Sequence, residues 1–408
     1  MKCRFCQEEI TTEFIDLINS PASNSYLNKS QLNEPETFYP LKVYVCHKCF
    51  LVQVDEYKSF DSIFDNNYAY FSSYSTSWLT HSKNYVEKMI TRFNLNNESH
   101  VVEIASNDGY LLQYFLPHRI PVLGIEPTKN TAEVAILKGI PCITEFFGVK
   151  LAQELSQKGS KADLLVGNNV LAHVPDILDF VKGLKILLNA EGVITMEMPS
   201  LVELVENNQF DTIYHEHFSY LSLTSVNNIF EACGLTIFDV ENLTTHGGSL
   251  RVYAKHNSSN RKVEPAVKAF LDIENAKGLN SLNYYQEFQQ KAEKVKFALL
   301  DFLITQKRAG KIVAAYGAAA KGNTLLNFCG IKNDLISFVA DANPHKQNKY
   351  LPASHIPVFD ENYIKTTKPD FVLILPWNLK EEITKQLSYI SEWGGQFVVP
   401  IPNVEIIK

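Results

Sequence analysis

No stretch of this chain approaches the length of apolar residues that crosses a bilayer, and Met1-Lys2-Cys3-Arg4-Phe5-Cys6 carries no apolar core of a secretion signal. No membrane partner is expected, and a cytoplasmic location is. Positive charge is not in excess either. Lys and Arg number 38 against 45 Asp and Glu, a formal net charge of -7, so a broad phosphate-neutralising surface is absent and nucleic acid is not an expected partner. There is no internal repeat and no low-complexity tract. The seven cysteines are an odd number, and in a reducing compartment a disulfide framework is not expected. What remains is an ordinary globular composition, 45% hydrophobic and 20% charged, on 408 residues, which is long enough for two or three domains.

Four cysteines have a pattern. Cys3 and Cys6, then Cys46 and Cys49, form two C-x2-C pairs 39 residues apart. Each pair offers two thiolates from a tight turn to one tetrahedral ion, so a closed structural Zn2+ site is expected, stapling a small lobe with a thin core. A redox role is weaker, because no thioredoxin-like βαβ pattern surrounds either pair. Cys142, Cys233 and Cys329 stand in apolar contexts and read as core.

Residues 61–85 are dense in Tyr, Phe and Ser and read equally as a packed connector or as a lid bearing hydroxyls. From His100 the pattern alternates strand and helix. Val101-Val102-Glu103-Ile104, Val122-Leu123-Gly124-Ile125-Glu126, Asp163-Leu164-Leu165-Val166 and 193–198 read as strands, with helices starting at Tyr110 and spanning 177–188. A helix is expected over 283–307. A second α/β series follows: strands at 311–315, 336–340 and 371–375, with Tyr316-Gly317-Ala318-Ala319-Ala320-Lys321-Gly322 leading into a helix that ends at Phe328. The expected division is 1–75, 76–280 and 281–408.

At the first strand-to-helix turn stands Glu103-Ile104-Ala105-Ser106-Asn107-Asp108-Gly109, and Glu126 ends the next strand, where a carboxylate can accept both ribose hydroxyl protons. The pair points to an adenosine-containing cofactor. A pyrophosphate needs a fuller glycine loop and is repelled by Asp108, whereas S-adenosylmethionine carries a sulfonium and an ammonium and suits an acidic loop. The alternative, an NAD-dependent nucleotide-sugar epimerase or dehydrogenase, is disfavoured for the same reason, and a non-catalytic zinc-bearing sugar-binding protein is disfavoured by the cluster described next.

Tyr214-His215-Glu216-His217 crowds a phenol, two imidazoles and a carboxylate into one segment able to move protons. A complete thiolate set elsewhere removes the need for these histidines to bind metal.

The turn Gly167-Asn168-Asn169-Val170-Leu171-Ala172-His173-Val174-Pro175-Asp176 and the strand after Glu191-Gly192 resemble the fourth and fifth strands of class I S-adenosylmethionine-dependent methyltransferases. The usual E-x-G-x-G-x-G keeps its last glycine only, with Ala105 and Asn107 at the other two places. With the four-cysteine lobe in front, Tyr-His-Glu-His behind, and His246-Gly247-Gly248-Ser249-Leu250-Arg251 and the Tyr316-Gly317 loop beyond, the whole chain resembles the nucleotide-sugar C-3'-methyltransferases of tetronitrose-type deoxysugar biosynthesis. That resemblance implies an α/β protein with a small N-terminal zinc lobe, a central class I methyltransferase domain of Rossmann-like form, and a second Rossmann-like C-terminal domain that holds the nucleotide part of the substrate. It implies methyl transfer from S-adenosylmethionine to a carbon, C-3' in the family, beside the keto group of a 4-keto-deoxy nucleotide sugar through an enolate.

The same resemblance implies His217 as base, with Tyr214 and Glu216 assisting and His173 and Tyr68 lining the site. Cofactor contacts are expected from Glu103, Ala105, Ser106, Asn107, Asp108, Gly109, Glu126, Pro127, Phe146, Asn168 and Asn169. His246 and Arg251 read either as rim polar residues or as substrate contacts. Lys321, Asn323 and His345 read either as phosphate-side contacts or as ordinary surface and helix-start chemistry.

Overall fold

The computed structural model describes residues 1–57 and 70–407, which fall into three sheets. The first is antiparallel, in the order Thr12–Ser20, Tyr39–Val45, Val52–Val54 and Ser219–Tyr220. Its fourth strand comes from deep in the central region and pairs Val52 with Tyr220 and Gln53 with Ser219. The Tyr-His-Glu-His segment therefore hangs directly from the edge of the amino-terminal lobe.

The central sheet has seven strands in the order Leu235–Leu243, Ser249–His256, Leu188–Pro199, Ala162–Asn168, Val101–Ile104, Val122–Ile125 and Cys142–Ile143. Ser249–His256 runs antiparallel to both neighbours and the other pairings are parallel. This is the doubly wound arrangement that the strand and helix alternation implied. Winding reverses between Val101–Ile104 and Ala162–Asn168, so a crevice opens at their carboxyl ends, where a doubly wound sheet binds its ligand. One expected element differs. The helix expected from Tyr110 is instead two 3-10 turns, Leu112–Tyr114 and Leu116–His118. Pro117 has no N–H to donate, so an α-helix cannot extend through it. The first loop consequently presents backbone groups without the dipole of a following α-helix.

The third sheet orders Val358–Phe359, Val339–Ala340, Val313–Tyr316, Phe371–Ile374, Gln396–Val399 and Glu405–Ile407, with the last strand antiparallel. It has its own reversal, between Val313–Tyr316 and Phe371–Ile374. Gly317, at φ +86°, makes the exit turn there, and a Cβ on it would meet Pro376 Cδ at 2.4 Å.

Helix Phe288–Arg308, close to the span expected, buries Phe288, Ala292, Val295, Leu299 and Leu303. Phe14 of the lobe stacks on Phe288 with ring centroids 4.7 Å apart. Lobe strands, this helix and the C-terminal sheet thus share one apolar core, while Cys3, Cys46 and Cys49 belong to the core beneath the central sheet. The lobe is stabilised from outside itself, as a small unit with little apolar surface requires.

Candidate active site

The four cysteine sulfurs lie within 4.8 Å of one another, with Cys3 Sγ 3.5 Å from Cys49 Sγ and Cys6 Sγ 3.5 Å from Cys46 Sγ. A tetrahedral zinc with bonds of about 2.3 Å sets sulfurs about 3.8 Å apart, so the cluster fits that ion with little adjustment. Gln53 Nε2 donates to Cys3 Sγ at 3.3 Å, a bond that favours the thiolate. Four thiolates fill the coordination shell, so the zinc is structural. Metal analysis should find one zinc per chain, and Cys46→Ala should lose it together with a lowered melting temperature; retention of metal by that variant would refute the assignment.

A cavity of about 480 Å3 opens over the central switch point. Ala105, Asn107, Glu126, Pro127, Phe146, Asn168 and Asn169 line it, as expected for the cofactor side. The loop answers the missing glycines in an instructive way. The three places of E-x-G-x-G-x-G, here Ala105, Asn107 and Gly109, all have left-handed φ, at +58°, +48° and +75°. Two side chains are thus held in the backbone conformation that glycine adopts freely, at a cost of about 1 kcal/mol for a residue such as Ala. Glu126 fixes the loop: Oε2 accepts Asn107 N–H at 2.8 Å and Oε1 accepts Thr128 N–H at 2.9 Å. Asn169, another left-handed residue, has a buried Oδ1 that accepts no hydrogen bond among the described residues. Strained backbone and an unmatched polar atom at the crevice fit a bound S-adenosyl group.

Four expected cofactor residues do not reach the cavity wall. Glu103 is fully buried on its strand with Tyr110 beside it, and burial pushes its carboxyl well above the usual range. Ser106 packs against Gly124, and Gly109 against Ala135 and Ile140. Asp108 turns the other way: its Oδ2 accepts Ser73 N–H at 3.3 Å and lies 3.7 Å from Lys138 Nζ. Together with Ser72 N–H on Asn107 Oδ1 at 2.9 Å and Asn107 Nδ2 on the Tyr70 carbonyl at 3.1 Å, this straps residues 70–73 across the cofactor loop. Tyr68 lies outside the described residues; Tyr70, two positions on, lines the cavity.

Tyr214, Glu216, His217 and His173 all line the cavity. The quartet forms a tight turn closed by His217 N–H on the Tyr214 carbonyl at 2.9 Å, so its side chains do not alternate as they would on a strand. His215 leaves the site, its Nε2 3.1 Å from the Pro40 carbonyl and its ring against Tyr39. His217 Nδ1 lies 2.8 Å from the Thr212 carbonyl, which only accepts, so Nδ1 carries the proton and Nε2 has the free pair. Tyr214 Oη donates to that Nε2 at 2.8 Å. Burial, with His173 at a ring separation of 4.6 Å adding to it, holds His217 well below the usual imidazole value, so it is neutral at pH 7. Burial holds His173 and His246 at about 4. Both oxygens of Glu216 accept from the one amide nitrogen of Asn24, Nδ2, at 2.8 and 3.0 Å. Asn24, from the lobe, carried no sequence signal.

Of the expected substrate residues, His246 and Lys321 line the cavity. Asn169 Nδ2 lies 2.9 Å from His246 Nε2. Arg251 does not line it: it is buried in the sheet, 2.8 Å from Glu197 Oε2, 3.3 Å from Glu241 Oε2 and over the Tyr85 ring, its charge already matched. Asn323 is buried and donates to the Ser23 carbonyl at 2.6 Å, holding the loop that bears Asn24. His345 stacks on Phe71 at 5.1 Å outside the cavity, and its neighbour Lys346 lines the wall instead.

Family models cover the chain in three pieces: a zinc binding domain over residues 3–64, a methyltransferase domain over 78–240, and a C-methyltransferase C-terminal domain over 244–402. The C-methyltransferase NovU of Streptomyces niveus is 35% identical over 407 residues, covering 100% of this chain and 97% of the relative. This chain belongs to the C-methyltransferase family. The enzyme is also similar to an S-adenosylmethionine-dependent methyltransferase from Clostridium acetobutylicum, at 12% identity and TM-score 0.36 over 44% of this chain and 92% of that one. PH0226 from Pyrococcus horikoshii gives 13% and 0.38 over 46% and 95%. Those two likenesses are too loose to carry an argument; full-length relationship and the central sheet carry it. The enzyme is an S-adenosylmethionine-dependent C-methyltransferase with a structural zinc lobe.

Proposed function

We propose that the methyl acceptor is the carbon, C-3', beside the keto group of a 4-keto-deoxy nucleotide sugar. Residues 1–75 act as the zinc lobe and aromatic connector, 76–280 hold the methyl donor, and 281–408 hold the nucleotide part. Bound S-adenosylmethionine supplies an electrophilic methyl, with Ala105, Asn107, Glu126, Pro127, Phe146, Asn168 and Asn169 placed to hold it. Carbon is a poor nucleophile until a proton is removed, and a carbonyl next door acidifies that proton. The observation that carries the reading is the tautomer of His217: Nδ1–H is tied to Thr212, and a neutral Nε2 pair faces the cavity under Tyr214 Oη. In this reading His217 takes the proton, the Tyr214 hydroxyl moves from Nε2 to the substrate, Glu216 orients the sugar through its link to Asn24, and His173 walls the base from water. The cavity wall gathers residues from the lobe, the central region and the C-terminal region, as a substrate with separate sugar and nucleotide parts requires.

Incubation with a 4-keto-deoxy nucleotide sugar and S-adenosylmethionine, followed by mass spectrometry, should show one added methyl. Absence of that product across a panel of nucleobases and keto sugars would reject the substrate class.

A further inference from the structure

The C-terminal switch point delivers two cations to the cavity wall, and they keep different company. Lys346 Nζ donates to the Ala318 carbonyl at 2.8 Å, sits 3.9 Å from Asp341 and lies over the Tyr26 ring at 5.7 Å. Lys321 is the second residue of helix Ala320–Cys329 and lines the same cavity as Tyr214, His217 and His246. Its Nζ donates to Asn378 Oδ1 at 2.7 Å and rests 4.6 Å from the Trp377 ring centroid. Trp377 is in turn fixed by its Nε1–H on buried Asp211 Oδ2 at 2.7 Å, and it packs so closely on Gly247 that a Cβ there would meet the indole at 2.4 Å. An ammonium has three protons, and Asn378 accepts one.

We propose that Lys321 is a catalytic residue that stabilises the enolate oxygen formed when His217 removes the proton beside the keto group. This assignment rests on the keto-sugar reading above. In the step, the C–H pair becomes the new carbon–carbon double bond, the carbonyl π pair moves onto oxygen, and the proton goes to His217 Nε2. The oxygen then bears a full negative charge beside the Lys321 ammonium. In the methyl transfer that would follow, the oxygen pair re-forms the carbonyl, the carbon–carbon π pair becomes the new bond to the methyl carbon, and the pair of the broken sulfur–methyl bond stays on sulfur, leaving S-adenosylhomocysteine.

The other groups around the base do not answer this need. The Tyr214 hydroxyl, released from His217 Nε2 as that nitrogen takes the proton, is a neutral donor, Glu216 is a carboxylate, and burial holds His173 and His246 neutral at working pH. A charged donor in a dry site stabilises an oxyanion more than a neutral one does. Burial lowers the Lys321 value from that of an ordinary lysine and buried Asp211 opposes that fall, and the lysine's charge adds to the depression of His217 and His246 on the shared cavity wall. Lys346, set among Tyr26, Ala318 and Asp341, is left as the cation for the diphosphate.

The exchange half of the test needs no methyl donor. In D2O, wild-type enzyme with the keto sugar should exchange the proton beside the carbonyl, followed by NMR, and Lys321→Met should slow both exchange and kcat by roughly 10²–10³ while KM and S-adenosylhomocysteine affinity stay close to wild type. Lys321→Gln, similar in length and still a donor, should fall between, and it decides the question if the Met variant no longer binds S-adenosylhomocysteine. Wild-type exchange and kcat in the variants with a raised KM would overturn the proposal and make Lys321 a phosphate contact. If wild-type enzyme itself neither exchanges nor methylates the keto sugar, the substrate reading fails instead.

Discussion

Two switch points open on one cavity, and their chemistry is opposite. At the central one, the backbone is strained at Ala105, Asn107 and Asn169, all left-handed, and Glu126 is the carboxyl on the cavity wall, with Asp108 turned to Lys138 and Glu103 held protonated by burial. At the C-terminal one, glycine takes the left-handed position at Gly317, the loop continues through three alanines, and Lys321 and Lys346 face the cavity. The same topology thus produces a place for a cation and a place for an anion. In the proposed reading a sulfonium would lie toward Glu126 and a diphosphate toward the two lysines, and Tyr214 and His217 line the same cavity.

The comparison breaks most sharply where the two sides meet. His217→Asn should lower kcat by roughly 10²–10⁴ while leaving binding of S-adenosylhomocysteine and of the nucleotide sugar intact by calorimetry; full turnover would remove His217 as the base. Next in size, Glu126→Ala should weaken S-adenosylhomocysteine by about 10–100-fold, because the carboxylate fixes Asn107 and Thr128 on the wall where the cofactor is proposed to bind, with nucleotide affinity unchanged. A parallel loss of both ligands would mean that the two sides are not separate.

A smaller effect is expected from pH. Three buried imidazoles, His173, His217 and His246, have depressed values, two of them at about 4, so the unfolded chain binds more protons below its ordinary His value of about 6.5. Their contribution to stability is present above that value and is lost as pH falls toward 4. Carboxyls raised by burial act in the opposite sense above their ordinary values: Asp211, at about 6, and with it Glu103, Glu126 and Glu274. The histidine part is read by difference: between pH 7 and pH 5, His173→Asn should lose less melting temperature than wild type, and identical slopes would contradict the depressed value of His173. Smallest of all, Ala105→Gly should relieve backbone strain and raise stability by up to about 1 kcal/mol without loss of cofactor affinity, whereas the same change in Ala319, whose backbone is extended, should destabilise.

The zinc ligands were legible because ligand chemistry is local: two C-x2-C turns bring their sulfurs together wherever the chain goes. The central strands and helix 177–187 followed from hydrophobic period for the same reason. The helix expected at Tyr110 was not formed, since a proline seven residues on outweighed the periodicity. Asp108, Arg251, Asn323 and His345 show a different limit. Each is the right residue type at the right loop or strand, but its charge or amide is spent on Ser73 and Lys138, on Glu197, on Ser23 or on an aromatic strap, and those partners are distant in sequence.

The residue types alone pointed to a thiolate metal site, an α/β core with an adenosine-cofactor turn, and a short segment crowded with titratable groups. Tertiary structure decided which atoms act. Thr212 fixes the tautomer of His217, the lobe supplies Asn24 to Glu216, and a strand at Ser219–Tyr220 fastens the turn to the lobe. Period and spacing report on neighbours along the chain, whereas a cavity is made of groups that only folding brings within hydrogen-bond distance.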